Sequence, residues 1–431
     1  MPRSSLNLYR RSPQSGWSLG WVLLVCVHAS ALLADEPLHP RVDLWTTSGE
    51  HVSGPLLGIE RETLTLRVGD RDRTVPPSAV WQIALTPGTS RPPRPRFWLH
   101  LTNGDRVGVS SVKLAEEALE FRLPFDESWH KLGVEFVTGI QPLRAGTSWR
   151  TDESEWLPVV RQREKSDLVV LRNGDRQTGE VSELGTNSLE LTESLGKQEL
   201  EWAAVAGLLM NPDLAEVPTM PKEGWVVLLA DDSWLTATAV ETTAEGRLTL
   251  TAIEGLELSF SLANIRGMTH WGPEAVPLSR VPITEQRHVP LLGEALEVAL
   301  DRNGRGLPLR HDAAATPANP NSEVSPLPSL CPQGLGLSSG MTVRWNLDAK
   351  YRRFQCGFGL DATAGPEGHA VVSVTLDDHP PKTITLRAGE PLVLETQLDL
   401  TDARVLTIET SYGENADASD WINLYSPILI P

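Results

Sequence analysis

The sequence predicts an all-β protein: four small β-barrels in tandem, then a two-sheet β-sandwich. Three observations predict it. A short turn phrase returns four times, an alternating strand follows each turn at nearly constant distance, and six strand-like runs succeed one another between residues 341 and 412. Long helical periodicity is almost missing, which leaves sheets to bury the apolar residues.

At 431 residues the chain is long enough for three or more domains. Residues 1–34 read as a secretory signal. Arg3, Arg10 and Arg11 precede the apolar run "WVLLVCV" (21–27), and "ASA" (29–31) supplies small residues for cleavage near Ala31 or Ala34. That run is too short to span a bilayer, so no transmembrane span is expected after cleavage; an uncleaved N-terminal anchor is the alternative. Arg10-Arg11 hints at twin-arginine export, without the apolar residues expected just after such a pair. The expected location is secreted, periplasmic or cell surface. Removing residues 1–34 leaves 35 basic against 56 acidic residues, a net charge of −21, which repels phosphate backbones and excludes nucleic acid as a natural partner.

The repeat is carried by "LVVLRNGDRQTGEV" (168–181), "FWLHLTNGDRVGVSSV" (97–112), "VDLWTTSGEHVSGPL" (42–56) and "WVVLLADDSWLTATAV" (225–240). Asn-Gly between apolar runs predicts a hairpin with a type I′ turn, whose two central residues need positive φ. Aligning Gly49, Gly104 and Gly174 puts Asp231 in the fourth place. Strands centred on Thr65, Glu120, Glu190 and Thr249 follow, and then pairs of apolar residues three apart: Val80/Ile83, Val137/Ile140, Val205/Leu208 and Ile265/Met268. About five short strands per copy fit a small SH3-like or Sm-like barrel, over 40–90, 95–145, 165–212 and 222–272. Units this small bury thin cores, so neighbouring copies should pack as an array. Trp45, Trp81, Trp98, Trp202 and Trp225 should fill cores and joints. The turn is read as architecture: it lacks the alternating acids of an EF-hand and the glycine-lysine cradle of a phosphate loop.

Between copies, "TPGTSRPPRPR" (86–96) predicts extended chain, 141–166 a linker with a short helix, and 210–224 a further linker. The last domain is expected over 281–431, with a polar loop at 310–329. Its strands are "MTVRWNL" (341–347), "RRFQCGFGLD" (352–361), "AVVSVTLDD" (370–378), "KTITLRAGE" (382–390), "LVLETQLDL" (392–400) and "RVLTIETSY" (404–412), the spacing of a jelly-roll β-sandwich. Of the two cysteines left in the exported chain, Cys331 and Cys356, the expectation is a disulfide, against two buried thiols.

"GLGLSSGMTVRWNLDAKYRRFQCGFGLDA", then "VVSVTLDD", then "ADASDWINLYSPIL" resembles the NPCBM family of carbohydrate-binding modules, named from modules attached to glycoside hydrolases of family 98. The shared features are the Gly-x-Gly entry strand, the step Leu347, Tyr351 and Phe354, Gly-Leu-Asp at 359–361, Asp377, and Asp420-Trp421. The resemblance covers about a third of the chain and implies the sandwich and a carbohydrate or glycosylated surface as partner. Leu337 stands where the family's entry strand usually carries a histidine.

Sugars are held by stacking on aromatic rings, with polar groups fixing the hydroxyls. The candidate carbohydrate-binding residues are Trp345, Tyr351, Tyr412 and Tyr425; Trp421 and Trp345 also fit core positions. Asp361, Asp417 and Asp420 are candidate ligands of a structural Ca²⁺, against the alternative of turn caps. No catalytic constellation stands out. His369, Ser373 and Asp377 lie along one strand and build no triad, and no HExxH, GxSxG or zinc spacing occurs. The expected function is therefore non-catalytic carbohydrate binding, with the repeats as spacer or protein-contact array. The alternatives are a structural envelope protein that assembles with other envelope proteins, and an unrecognised glycan-active enzyme.

Overall fold

The computed structural model describes residues 39–86, 92–116, 118–162, 164–194, 196–311, 329–416 and 419–431. The signal segment 1–34, the centre of the proline-rich linker, most of the 310–329 loop and Asp417 lie outside them.

In the first unit Arg41–Thr46 pairs with His51–Ile59, which pairs with Leu64–Val68, which pairs with Arg71–Val75. A 3-10 turn at Pro77–Ala79 then brings Val80–Leu85 back onto the opening strand. The same ladders recur from Phe97–Leu101 to Val137–Pro142, from Asp167–Leu171 to Val205–Leu209, and from Gly224–Leu229 to Ile265–Trp271. The apolar landmarks explain the return. Ile83, Ile140, Leu208 and Met268 each lie opposite a buried residue of the opening strand: Leu44, Leu99, Val169 and Val227.

The four turns share one geometry. Gly104 N–H donates to Leu101 O, and Leu101 N–H donates to Asp105 O; Gly49, Gly174 and Asp232 repeat that pair of bonds. Only the third loop residue has positive φ, at +88°, +94° and +92° for the glycines and +72° for Asp232. This is a three-residue loop with a bulge, not the two-residue type I′ turn expected from Asn-Gly. The fourth glycine equivalent is thus Asp232, one residue beyond the expected Asp231. Asp231 instead matches Asn103 and Asn173: its Oδ1 accepts from Ser233 N–H at 2.9 Å, as theirs accept from Asp105 and Asp175 N–H at 3.0 Å.

The expected closed barrels are not formed. Among the described strands no ladder joins the fourth strand of a unit to its fifth. The outer edge of the fifth strand is used between units: Val80–Leu85 pairs with Ile265–Trp271, and Val137–Pro142 pairs with Val205–Leu209. Pairing therefore couples the first unit to the fourth and the second to the third, and Trp234 opposite Arg106 links the fourth to the second. The result is one 18-stranded sheet path, with a single apolar cluster running from Val42 to Met268. Sharing edges removes exposed ladder groups and thickens cores that a fifty-residue unit could not build by itself. All five repeat tryptophans singled out from the sequence are buried.

The C-terminal region is a two-sheet antiparallel sandwich. One sheet runs Ala299–Leu300, Gly334–Ser338, Trp421–Ile430, Arg353–Leu360, Val393–Asp399; the other runs Ile283–His288, Met341–Asn346, Val405–Tyr412, His369–Leu376, Lys382–Arg387. Val276–Pro277 already joins the first sheet, against Ile428 and Leu429. Alternation along each strand turns Val343, Trp345, Phe354, Phe358, Ile408 and Leu424 into one core. Trp45 and Trp81 of the first unit pack with Ala275, Ile428 and Ile430, so the sandwich and the repeats share an apolar joint.

Candidate functional site at the sandwich and its joint

The sequence-predicted aromatics are not gathered into a platform. Trp345 is fully buried in the sandwich core. Tyr351 is half-buried against the same core. Tyr412 is half-buried, and its hydroxyl donates to Val289 O. Tyr425 is fully buried: its hydroxyl donates to Arg310 O at 2.7 Å and accepts from Asn423 Nδ2 at 3.1 Å. Burial pushes that phenol well above its ordinary range. Trp421 is half-buried, with Gly304 against its ring; a Cβ there would come within 3.1 Å.

Asp361 and Asp420 anchor loops. Asp361 Oδ2 accepts from Asn303 Nδ2 (3.1 Å) and Asn423 Nδ2 (2.8 Å), and its Oδ1 accepts from Thr363 N–H (2.9 Å) and Oγ1 (2.5 Å). Asp420 accepts from Ser339 Oγ at 2.7 Å and His369 N–H at 2.9 Å. These oxygens already serve protein donors, and no His, Cys, Asp or Glu group able to hold a metal forms among the described residues. Asp361 and Asp420 thus act as structural hubs for their loops; Asp417, the third candidate for the expected Ca²⁺ site, lies outside the described residues.

The expected disulfide is corrected as well. Cys331 and Cys356 are both buried thiols that do not join. Cys331 packs with Leu309 and Tyr425, whereas Cys356 belongs to the main sandwich core. Cys331 Sγ lies 3.0 Å from Ser426 Oγ, and burial raises its pKa to about 11, so it is no ready nucleophile. His369 and Asp377 likewise serve the backbone: His369 Nδ1 accepts from Glu414 N–H at 2.6 Å, and Asp377 Oδ1 from Val405 N–H at 2.9 Å.

The chemistry that sequence reasoning missed lies where the sandwich meets the repeats. The one described α-helix, Trp149–Val160, places Glu153 there. Arg310, in the strand Leu309–Arg310, donates from Nε to Glu153 Oε1 at 2.7 Å and pairs through Nη1 with Asp232 Oδ2 at 3.1 Å. Its guanidinium also lies 4.4 Å from the Trp149 ring centre. Arg106 sits 3.7 Å from the same Glu153 oxygen, between the rings of Trp98 and Trp234 at 4.3 and 4.6 Å. Burial raises the Glu153 carboxyl, against the pull of Arg310 and Arg106. Burial would do the same to Asp232, but Arg310, Arg266 and Arg106 outweigh it and hold Asp232 below its ordinary value.

Beside this joint is a cleft of about 610 Å³, between the second and third units, the helix and the segment 302–306. Trp156 forms part of its wall, seated against Gly139 and Gly207, where a Cβ would come within 3.0 and 2.6 Å of the ring. His100 stacks on Trp156, with ring centres 4.1 Å apart and planes 5° from parallel. Burial, helped by Arg106 and Arg302, holds His100 well below its ordinary value, so it is neutral near pH 7. The sequence carried one signal for this region, the run "DRNGRGLPLR" (301–310), with three arginines in an acidic chain.

The sequence matches the family model of the NPCBM/NEW2 domain over residues 322–429. Among solved structures, this chain is similar to the CBM51 of a Clostridium perfringens GH95 protein, in complex with methyl-galactose, at 16% identity and a TM-score of 0.30, over 36% of this chain and 99% of that one. It is similar to CBM51-2 with INT domains of Clostridium perfringens ZmpB, in complex with GlcNAc, at 15% identity and a TM-score of 0.30, over 45% of this chain and 38% of that one. The tandem CBM51 modules of the Streptococcus pneumoniae SP3-BS71 family 98 glycoside hydrolase match at 10% identity and a TM-score of 0.27, over 61% and 87%. The chain thus spans well under half the length of the ZmpB structure it matches. No curated protein matches the sequence. The NPCBM/NEW2 domain accounts for the sandwich strands from Leu330–Cys331 onward, whereas the repeats and the helix lie outside it.

Proposed function

We propose that this is an exported, non-catalytic carbohydrate-binding protein, with the NPCBM/NEW2 sandwich as its recognition module. The observation that carries the reading is the family match over residues 322–429, laid on a two-sheet sandwich. The repeats serve as a rigid mount for that module. Trp45 and Trp81 pack on its last strand, and Arg353 reaches from the sandwich to the carbonyls of Thr47 and Ser48 in the first turn. The mature chain then works as a secreted, periplasmic or cell-surface protein; no described helix is long and apolar enough to cross a membrane.

A second reading, an envelope protein whose sandwich mediates assembly, is favoured by one observation. Trp345 and Tyr425 are fully buried, which leaves only the half-buried Tyr351 and Tyr412 of the four candidate aromatics with ring surface to stack a pyranose. A glycan array probed with the full chain separates the two. Binding to a defined glycan class supports the first reading; no binding across neutral and acidic glycans at high micromolar protein, with capture of a second protein from the envelope, supports assembly.

A further inference from the structure

Three arginines line the cleft beside the joint, Arg161, Arg302 and Arg305, against one carboxylate, Glu164. In a chain of formal net charge −18 this is a local inversion of sign. Among the described residues none of the three arginines has a carboxylate within ion-pair distance. Arg302 Nη2 lies 3.5 Å from Gly104 O, and Arg305 Nη1 lies 3.4 Å from Thr363 Oγ1; both contacts are at the outer limit of a hydrogen bond. Burial disfavours the charged form of Arg302, and only the more distant Asp301 and Asp105 oppose it. Such a group gains most from a partner that brings its own negative charge.

The remainder of the cleft suits a sugar. Its volume lies in the range of pockets that hold small ligands, and Trp156, Leu209 and Met210 give it an apolar wall. A guanidinium fork matches the two oxygens of a planar carboxylate, which a neutral hydroxyl pair cannot reproduce. Resting on the reading of the protein as a glycan binder, we propose that this cleft binds a sugar bearing a carboxylate, a uronic acid residue, with Arg302 and Arg305 on the carboxylate and Arg161 at the rim. The site is then shared: the helical linker between the second and third units supplies Trp156 and Arg161, and the segment leading into the sandwich supplies Arg302 and Arg305.

The test is calorimetric titration of the full chain with trigalacturonate, neutral galactotriose and a sulfated galactan oligomer of equal length. Trigalacturonate should bind at least about tenfold more tightly than the neutral trimer, and Arg305→Gln should weaken it by about tenfold, the scale of one charge-assisted hydrogen bond. The exposed Arg161→Gln should weaken it less, and the distant Arg387→Gln not at all. Equal or tighter binding of the neutral trimer, untouched by the arginine variants, would overturn the inference while leaving glycan binding in place. Preference for the sulfated oligomer would overturn the carboxylate. Failure to bind any of the three, together with a blank glycan array, would sink the glycan reading itself.

Discussion

Arg310 and Arg302 stand eight residues apart in one segment, yet they meet opposite fates. Arg310 enters the joint and finds Glu153, Asp232 and the face of Trp149 within 4.4 Å. Arg302 turns to the cleft and finds no carboxylate within ion-pair distance among the described residues, only a carbonyl at 3.5 Å. The difference teaches how to read a buried or half-buried charge here. A satisfied charge fixes the geometry of the two halves, and an unsatisfied one beside open volume is available to a ligand.

The comparison breaks first, and with the largest effect, at Glu153. Glu153→Leu leaves Arg310 and Arg106 buried beside Asp232 and Asp231 without their shared carboxylate, and should cost about 3–5 kcal/mol in urea unfolding. A loss below about 1 kcal/mol would show that the network is ornamental. Next is Tyr425→Phe, which leaves the Asn423 amide and the Arg310 carbonyl short of a partner. It should cost about 1–3 kcal/mol by thermal melting while leaving glycan affinity unchanged. Loss of affinity with unchanged stability would instead make Tyr425 a ligand contact.

Glu254 sharpens the contrast from the side of pH. Burial, with repulsion from Asp105, raises its carboxyl to about 7, and only its own backbone N–H opposes the shift. Because its folded pKa lies above the ordinary value, the native state holds the proton more tightly, and stability falls as pH rises from about 4.5 through about 7. Asp105 and Asp231, each raised to about 6 by burial, act in the same direction. Glu254→Gln should therefore stabilise the protein by about 1–2 kcal/mol at pH 8 and by little at pH 5, as read from melting temperatures at the two values. Equal effects at both pH values would contradict the assignment.

The periodic parts of the fold were legible because they are local. The spacing from Gly49 to Val80/Ile83 recurs because the same five-strand path must be retraced each time, and the sequence has to mark its turns and its return strand. The entry strand and the Asp-Trp of the sandwich were legible through their order. Which units pair was not, because the partners Ile83 and Met268 are far apart in sequence and any free strand edge could have met any other. The open sheets follow from the same fact, since the edge that would close each barrel is spent on a neighbouring unit. The site was legible only as a basic run. Arg310 takes its partners from Glu153 and Asp232, and nothing local in "DRNGRGLPLR" says which of its arginines will find a carboxylate. Cys331 and Cys356 failed as a pair for a related reason: redox context suggested a bridge, and packing placed them in different clusters.

Arg305→Gln carries the smallest expected change in stability and tests the central claim most directly. Melting of the full chain, wild type and Arg305→Gln, should be followed with and without trigalacturonate at a hundred times its dissociation constant. The account predicts unliganded melting temperatures that agree within about 1 °C, a ligand-induced rise of about 3 °C in the wild type, and a rise cut to about half in the variant at the same ligand concentration. A variant that melts several degrees lower without ligand, yet keeps the full rise, would contradict it: Arg305 would then hold the fold as Arg310 does, and the ligand would bind elsewhere.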